Sequence, residues 1–499
     1  MANAVGRVRR EIVRLLERRA AHKREVLVEQ VMKLKRSLVS TDEFGQKQPL
    51  TVSVVVPTFL KDRAELSGYR FEVIRNELIE LGHLLRRGVA DEIIIIDGSI
   101  KGTGAIDDSL MRQIISTMNR SLAIFHDEVD LVQKYRVIRE KAALGLYDFG
   151  VRVVHQLDPE INRAMRAAKM LSQDLPTGKG AALWLGVGLS SGDVICFVDS
   201  DIRNFQEWQV PALLKPILET WKRGEDSVLY SKAHYTRLAV NLDSPERGFY
   251  KLGGRATRLF VIPLVRALSR RGVLAGLDRL RYPLSGEFAG SRNLFESMDF
   301  PAGYDAEMGI LIQMWRRGLA RRIEQIDLHL FQHFPQSDKS IHQMVRQIAE
   351  LVVSELKDQV RLDQELVDEY VSEAMKDISA ASQIFEKAEV RVEIEHEVKR
   401  DFFKDTEGDK KKVLDYAEDL RQAIANSQRQ QKSSVRRLPS WESVRRDERG
   451  ARLPPFLRRR GTASTIELLA RQGLVASELG MAGKQWSWGK SFPLRRQSY

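Results

Sequence analysis

The sequence predicts an α/β fold, a mostly parallel sheet covered by helices on both faces, with a helical C-terminal extension. Two observations carry this. Short, almost wholly apolar runs at 52–56, 92–96, 151–155 and 193–198 alternate with segments of helical periodicity such as 72–87. Strands apolar on both faces belong to sheets buried on both sides, and strand–helix alternation makes their neighbours parallel. Such sheets bind ligands beyond the carboxyl ends of their strands, and Pro57, Asp97 and Asp199 all stand at those ends.

The flanks read differently. Residues 1–48 alternate basic and apolar positions with helical spacing, which predicts a helix packed on the body or on a second subunit of a homodimer. A body at 49–338 follows. Residues 339–431 contain one glycine and no proline, are densely charged, and place Ile348, Leu351, Val352, Leu356 and Val360 at helical spacing, so an antiparallel helix pair is expected. From Lys432 to Tyr499 there are 15 Lys/Arg against 5 Asp/Glu, most of the net charge of +12. This stretch reads as a solvated extension with exposed Trp441, Trp486 and Trp488; the alternative is peripheral contact with phosphates or an anionic membrane. Specific nucleic-acid binding is not predicted, because the charge lies in the tail and not in the body.

The single cysteine, Cys196, excludes an intramolecular disulfide framework and fits a reducing compartment; within an apolar strand it reads as a small buried hydrophobe. No apolar stretch approaches the ~18–20 residues of a spanning helix, and the N-terminal stretch lacks the pattern of a secretory signal, so a cytoplasmic protein is expected.

Five segments and a histidine pair carry chemistry. Val198-Asp199-Ser200-Asp201 closes an apolar strand, and carboxylates two residues apart on extended backbone point the same way. They suit Mg2+ or Mn2+ shared with substrate phosphates, or simply a turn after the strand. Thr177-Gly178-Lys179-Gly180 opens a predicted helix; bare backbone amides and a lysine suit a phosphate, although the spacing is not that of a P-loop. Pro283-Leu284-Ser285-Gly286-Glu287-Phe288-Ala289-Gly290 and Gly303-Tyr304-Asp305-Ala306-Glu307 are small-residue loops whose Glu287 and Glu307 suit sugar hydroxyls, acid–base work or structural turns. Gly253-Gly254-Arg255-Ala256-Thr257 offers a guanidinium fork to an anion. His329 and His333 are four apart, but in an extended segment, which argues against a shared metal and leaves one histidine to complete the Asp-x-Asp shell.

In this order and spacing, the segments over about residues 50–335 resemble the retaining glycosyltransferase family 81, the glucosyl-3-phosphoglycerate synthases. The resemblance implies a GT-A fold, a Rossmann-like nucleotide half joined to an acceptor subdomain, and a hexosyltransferase activity from an NDP-sugar, of glucose or mannose, to 3-phosphoglycerate or a related small acid. It implies that Pro57 and Ser99 line the nucleotide site, that Lys179, Asp199, Ser200 and Glu287 contact the donor, and that Leu284 and Glu307 face the donor sugar. It also implies that Asp201 and His333 hold Mg2+ or Mn2+, and that Arg255, Ala256 and Thr257 bind the acceptor. The chain departs from the family at three points. Asp62 stands where a glutamate is expected to contact the base, Asp305 replaces a glycine, and Phe334-Pro335 replaces Arg-Asn after the histidine.

Two other functions fit the same residues: transfer from an NDP-sugar to a lipid phosphate or glycan, with the basic tail at a membrane, and non-catalytic binding of a nucleotide sugar.

Overall fold

A computed structural model describes residues 2–41, 47–60, 69–100, 113, 150–167, 171, 174–225, 227–241, 249–387, 402–403, 405–429 and 435–446. Its centre is a nine-stranded sheet. The four predicted strands are β3 (Val52–Thr58), β4 (Glu92–Asp97), β5 (Gly150–His155) and β6 (Val194–Phe197), and they run parallel in the order β6-β3-β4-β5. Two short strands, β1 (Val39–Thr41) and β2 (Lys47–Pro49), precede them as a separate antiparallel pair.

The sheet continues past β6 through strands that, apart from the extended segment around His329 and His333, the sequence did not announce. β7 (Tyr230–Asn241) and β8 (Phe249–Leu252) pair antiparallel, and β9 (Phe288–Ser291) joins β6 to β7, antiparallel to both. β10 (Phe300–Pro301) lies outside this sheet, while β11 (Ile323–His333) runs parallel to β7 and the two-residue β12 (Phe402–Phe403) parallel to β8. The sheet is therefore mixed but mostly parallel, as expected. The parallel strands are buried on both faces: Val54, Val55, Ile93, Ile94, Ile195 and Cys196 have essentially no exposed surface.

The helices follow the amphipathic spacing. α1 (Ala2–Arg36) is the predicted N-terminal helix and lies on its own chain: Arg24 stacks over Trp208 and donates to Gln206 at 2.9 Å, while Lys35 donates to Asp91 at 2.7 Å. α2 (Tyr69–Arg87) and α3 (Pro159–Ala167) flank the parallel strands. α4 (Lys179–Leu189), apolar all round, is buried from its second residue onward; α5 (Gln209–Arg223) follows β6. α6 (Ile262–Arg270), α7 (Arg292–Glu296) and α8 (Ala306–Arg316) complete the body.

The C-terminal region is helical, but among the described residues it holds three helices where a pair was expected: α9 (Asp338–Leu356), α10 (Gln364–Lys387) and α11 (Thr406–Gln428). They belong to the same hydrophobic core as α4 and α6, with Val345, Ile348, Tyr370 and Tyr416 buried in it. A larger correction concerns Trp441. It is fully buried rather than exposed, at the start of α12 (Trp441–Arg446), next to a short strand β13 (Arg437–Leu438) that pairs with β10. The basic residues beyond 446, with Trp486 and Trp488, lie outside the described residues, as does Asp62. Among the described residues, no helix is long and apolar enough to cross a membrane.

Candidate active site

The carboxyl ends of β3, β4, β5 and β6 lie along one edge, as the register Thr58–Asp97–His155 requires. Asp97 ties this edge together: it accepts from the Thr58 hydroxyl at 3.2 Å, the Ser99 hydroxyl at 2.7 Å and the Ser99 amide at 3.1 Å. The Ser99 hydroxyl in turn accepts from the Leu60 amide at 2.9 Å. Ser99 is thus placed at the crevice, buried and engaged as a brace of the two loops. Pro57 is half-buried at the end of β3, and Phe59 beyond it is exposed.

The next loop brings Lys179, at the first turn of α4, to Asp199 after β6. Lys179 Nζ sits 2.8 Å from one Asp199 oxygen and 3.0 Å from the other. Its third contact is Glu307 Oε1 at 2.5 Å, from the first turn of α8. Burial opposes the lysine's charge, but the two carboxylates outweigh it and hold Lys179 protonated, well above its usual range. The packing that permits this depends on glycines. A Cβ at Gly286 would collide with the Asp199 carboxylate, and one at Gly178 or Gly180 would collide with the carbonyls of Ala302 and Pro301.

Asp201 is set by a different device. The loop after β6 crosses to the end of β11: the Arg203 amide donates to the Gln332 carbonyl at 2.8 Å, and Asn204 brackets Leu330 and Gln332 at 2.7 and 2.9 Å. Ile202 bridges His333. The result is an Asp201 Oδ1 to His333 Nδ1 contact of 3.0 Å, with Arg237 Nη2 at 3.5 Å from the other oxygen. Burial opposes ionisation of Asp201, yet His333, Arg237 and Lys179 together keep its carboxyl well below the usual range. Burial, aided by Arg237 and opposed by Asp201, shifts His333 below its ordinary value.

The pair is suited to a divalent cation. His333 Nε2 is buried without a hydrogen-bond partner, so the ring that meets Asp201 through Nδ1 keeps its other nitrogen unused. Among the described residues, no group of three or more His, Cys, Asp or Glu is placed to hold a metal by itself. Two protein ligands are what a magnesium or manganese ion needs when substrate phosphates and water complete its shell. As the sequence implied, His329 does not share the site: it sits at a bulge in β11 and turns to Asp327.

Around this centre lie further groups, of which the sequence signalled Glu287, Leu284, Ser200 and Asp305 but not Lys232 or Arg237. Lys232 is buried beneath the Ser285 loop and donates to the Ser285 carbonyl at 2.8 Å; burial and Lys179 pull it down to about 8 despite the opposing pull of Glu307. Glu287 is buried beside the Tyr235 hydroxyl, and burial together with Asp199 pushes its carboxyl up to about 8. Burial likewise raises Asp305 to about 6. Lys232 and Arg237 belong to β7, whose polar residues hide it from a search for apolar runs. Leu284 is partly buried against the core, Ser200 is half-buried, and Tyr304 is exposed.

The Gly253–Thr257 segment is assembled separately. Gly254 has φ of 68°, and a Cβ there would strike the Tyr282 hydroxyl, so glycine is required. Arg255 is ion-paired to Asp338, the first residue of α9, and donates to the Gln336 carbonyl at 2.7 Å. Ala256 and Thr257 are buried.

No family model matches the chain. It is similar to proteins named glucosyl-3-phosphoglycerate synthase. One from Mycobacterium tuberculosis (strain ATCC 25618 / H37Rv) is 34% identical over 204 residues, 40% of this chain and 60% of that protein. One from Petrotoga mobilis (strain DSM 10674 / SJ95) is 29% identical over 260 residues, 51% of this chain and 74% of that protein. The chain thus spans about 60% of the length of the mycobacterial relative. A crystal structure of the Mycobacterium tuberculosis synthase with Mn2+, UDP and phosphoglyceric acid is 24% identical, with a TM-score of 0.42, covering 68% of this chain and 84% of that one.

Proposed function

We propose that this chain is a metal-dependent hexosyltransferase, moving glucose or mannose from a nucleoside diphosphate sugar to 3-phosphoglycerate or a related small acid. The observation that carries the reading is the convergence of Lys179, Asp199 and Glu307 beside Asp201 and His333 at the carboxyl ends of parallel strands. Similarity to proteins named glucosyl-3-phosphoglycerate synthase supports the choice of donor and acceptor.

The charges fit a metal as part of the donor site. Asp199, Asp201 and Glu307 are met by Lys179, Arg237 and the buried Lys232, so a diphosphate brings negative charge that a divalent cation would offset. Asp201 and His333 would hold Mg2+ or Mn2+, which supplies Lewis-acid stabilisation of the departing diphosphate. Lys179 adds a fixed, preorganised positive charge at the helix start, where the Gly180 and Ala181 amides are already taken by the Gly303 and Ala302 carbonyls, so the side chain and not the backbone would meet the anion. Glu307 and Asp199 hold that lysine and offer oxygens to sugar hydroxyls. Arg255 would exchange its contact with Asp338 for the acceptor's anion and orient it, with Thr257 beside it. No covalent glycosyl intermediate is assigned to any side chain, and retention of configuration follows the family resemblance. The lone buried Cys196 fits work in a reducing cytoplasm.

The test is release of nucleoside diphosphate from a panel of NDP-sugars with Mg2+ or Mn2+ and 3-phosphoglycerate. Metal-dependent release that requires the acceptor is the expected result. Release independent of acceptor would move the acceptor assignment elsewhere, and no release from folded protein would replace transfer by binding.

A further inference from the structure

A strap from the C-terminal end of the described chain reaches the back of the donor site. Residues 435–440 run beside 299–302: β13 pairs with β10, the Ala302 amide donates to the Arg436 carbonyl at 2.9 Å, and the Ser440 amide donates to Asp299 at 2.8 Å. Trp441 then inserts against α4. Its ring stacks on Trp184 at 4.3 Å between centroids, and the two indoles are cross-tied. Trp441 Nε1 donates to the Trp184 carbonyl at 2.7 Å, and Trp184 Nε1 donates to the Pro439 carbonyl at 2.7 Å. Gly188, one helical turn further along, leaves room for the ring; a Cβ there would collide with it.

The two elements the strap holds are those that carry Lys179 and Glu307. The amides of Gly180 and Ala181, in the first turn of α4, donate to the carbonyls of Gly303 and Ala302 at 3.0 and 3.1 Å. The 2.5 Å Lys179–Glu307 contact spans this joint. Pro301 and Ala302 are thus pinned on one side by the strap and on the other by the helix, while Trp441 fixes the helix itself. We infer that the strap, through Trp441, is a positioning element of the donor site, setting the spacing between the lysine-bearing helix start and the Glu307 loop. This inference rests on the transferase reading for its catalytic consequence, but not for its mechanical one. Cores this dense transmit a displacement rather than absorb it, and a misplacement of about 1 Å in a positioned site costs up to ~100-fold in rate.

The experiment compares full-length Trp441→Ala and Trp441→Phe with wild type, using Leu81→Ala, in the other core cluster, as a control for general destabilisation. Amide exchange at Gly180 and Ala181 reports the joint whether or not the chain transfers sugar, so failure of the transferase reading and failure of this one are distinguishable. In Trp441→Ala, exchange at these two amides should quicken at least about 10-fold while that at β4 stays unchanged, because local opening precedes global opening. Its kcat should fall about 10-fold or more at a temperature where it remains folded, with KM for 3-phosphoglycerate within about twofold. Trp441→Phe should restore most of both, and Leu81→Ala should lower the melting temperature without touching either. Unchanged exchange at Gly180 and Ala181 in Trp441→Ala would overturn the inference. So would faster exchange with kcat intact, or an equal loss of kcat in Leu81→Ala.

Discussion

Lys179 and Arg255 are both cations matched to carboxylates at the rim of the fold, yet they are built for different work. Lys179 is 17% exposed, gripped by Asp199 and by Glu307, which is itself only 3% exposed. Arg255 is 13% exposed, but its partner Asp338 is 63% exposed at a helix start. A cation enclosed with both its carboxylates keeps its charge and geometry whether substrate is present or not. A cation whose partner stands in water can trade that partner for an incoming anion at little cost. The first contact is part of the frame, and the second is an exchangeable one.

Lys179→Met should break that contrast most strongly. It leaves Asp199 and Glu307 facing each other without a cation, and losing one partner of a buried pair costs about 3–5 kcal/mol. Denaturant unfolding should show that loss, and diphosphate release should vanish with it. Asp201→Ala comes next. It removes a carboxylate that we propose holds the metal, so release should fall at least ~100-fold with less effect on stability, which separates electrostatic work from framework.

Glu287 sharpens the frame side through pH. Its carboxyl is raised from 4.5 to about 8 in the folded chain, so the folded state holds a proton that the unfolded state has released over that window. Stability from this group is therefore present at low pH and lost as pH rises through about 8, on the order of a few kcal/mol before relaxation. In metal-free protein, Glu287→Gln should flatten the decline in stability between pH 5 and about 8, as read by chemical denaturation at several pH values. The smallest effect belongs to the exchangeable contact. An exposed ion pair is worth about 0–1 kcal/mol, so Asp338→Asn should lower KM for 3-phosphoglycerate by up to about fivefold and leave melting nearly unchanged.

Much of the fold was legible in the sequence, for a simple reason. β3, β4, β5 and β6 are apolar on both faces, so their burial is written in consecutive residues, and the glycine-flanked Lys179 and the Asp199–Asp201 pair mark the ends of such elements. β7 was not legible. Ser231, His234 and Thr236 interrupt its apolar positions, so neither Lys232 nor Arg237 was singled out. Trp441, flanked by basic residues and proline, carried every local sign of a solvated segment.

By itself, the sequence determined the parallel half of the sheet, the helical nature of the C-terminal region and the placing of Lys179, Asp199 and Asp201 at the ends of predicted elements, because hydrophobic period and glycine placement are local properties. Only the tertiary structure decided that Asp201 meets His333, that Glu307 closes on Lys179 and that Trp441 fills the space above Gly188. Those contacts join residues more than 100 positions apart, and whether two such surfaces fit is a matter of packing shape that no local pattern encodes.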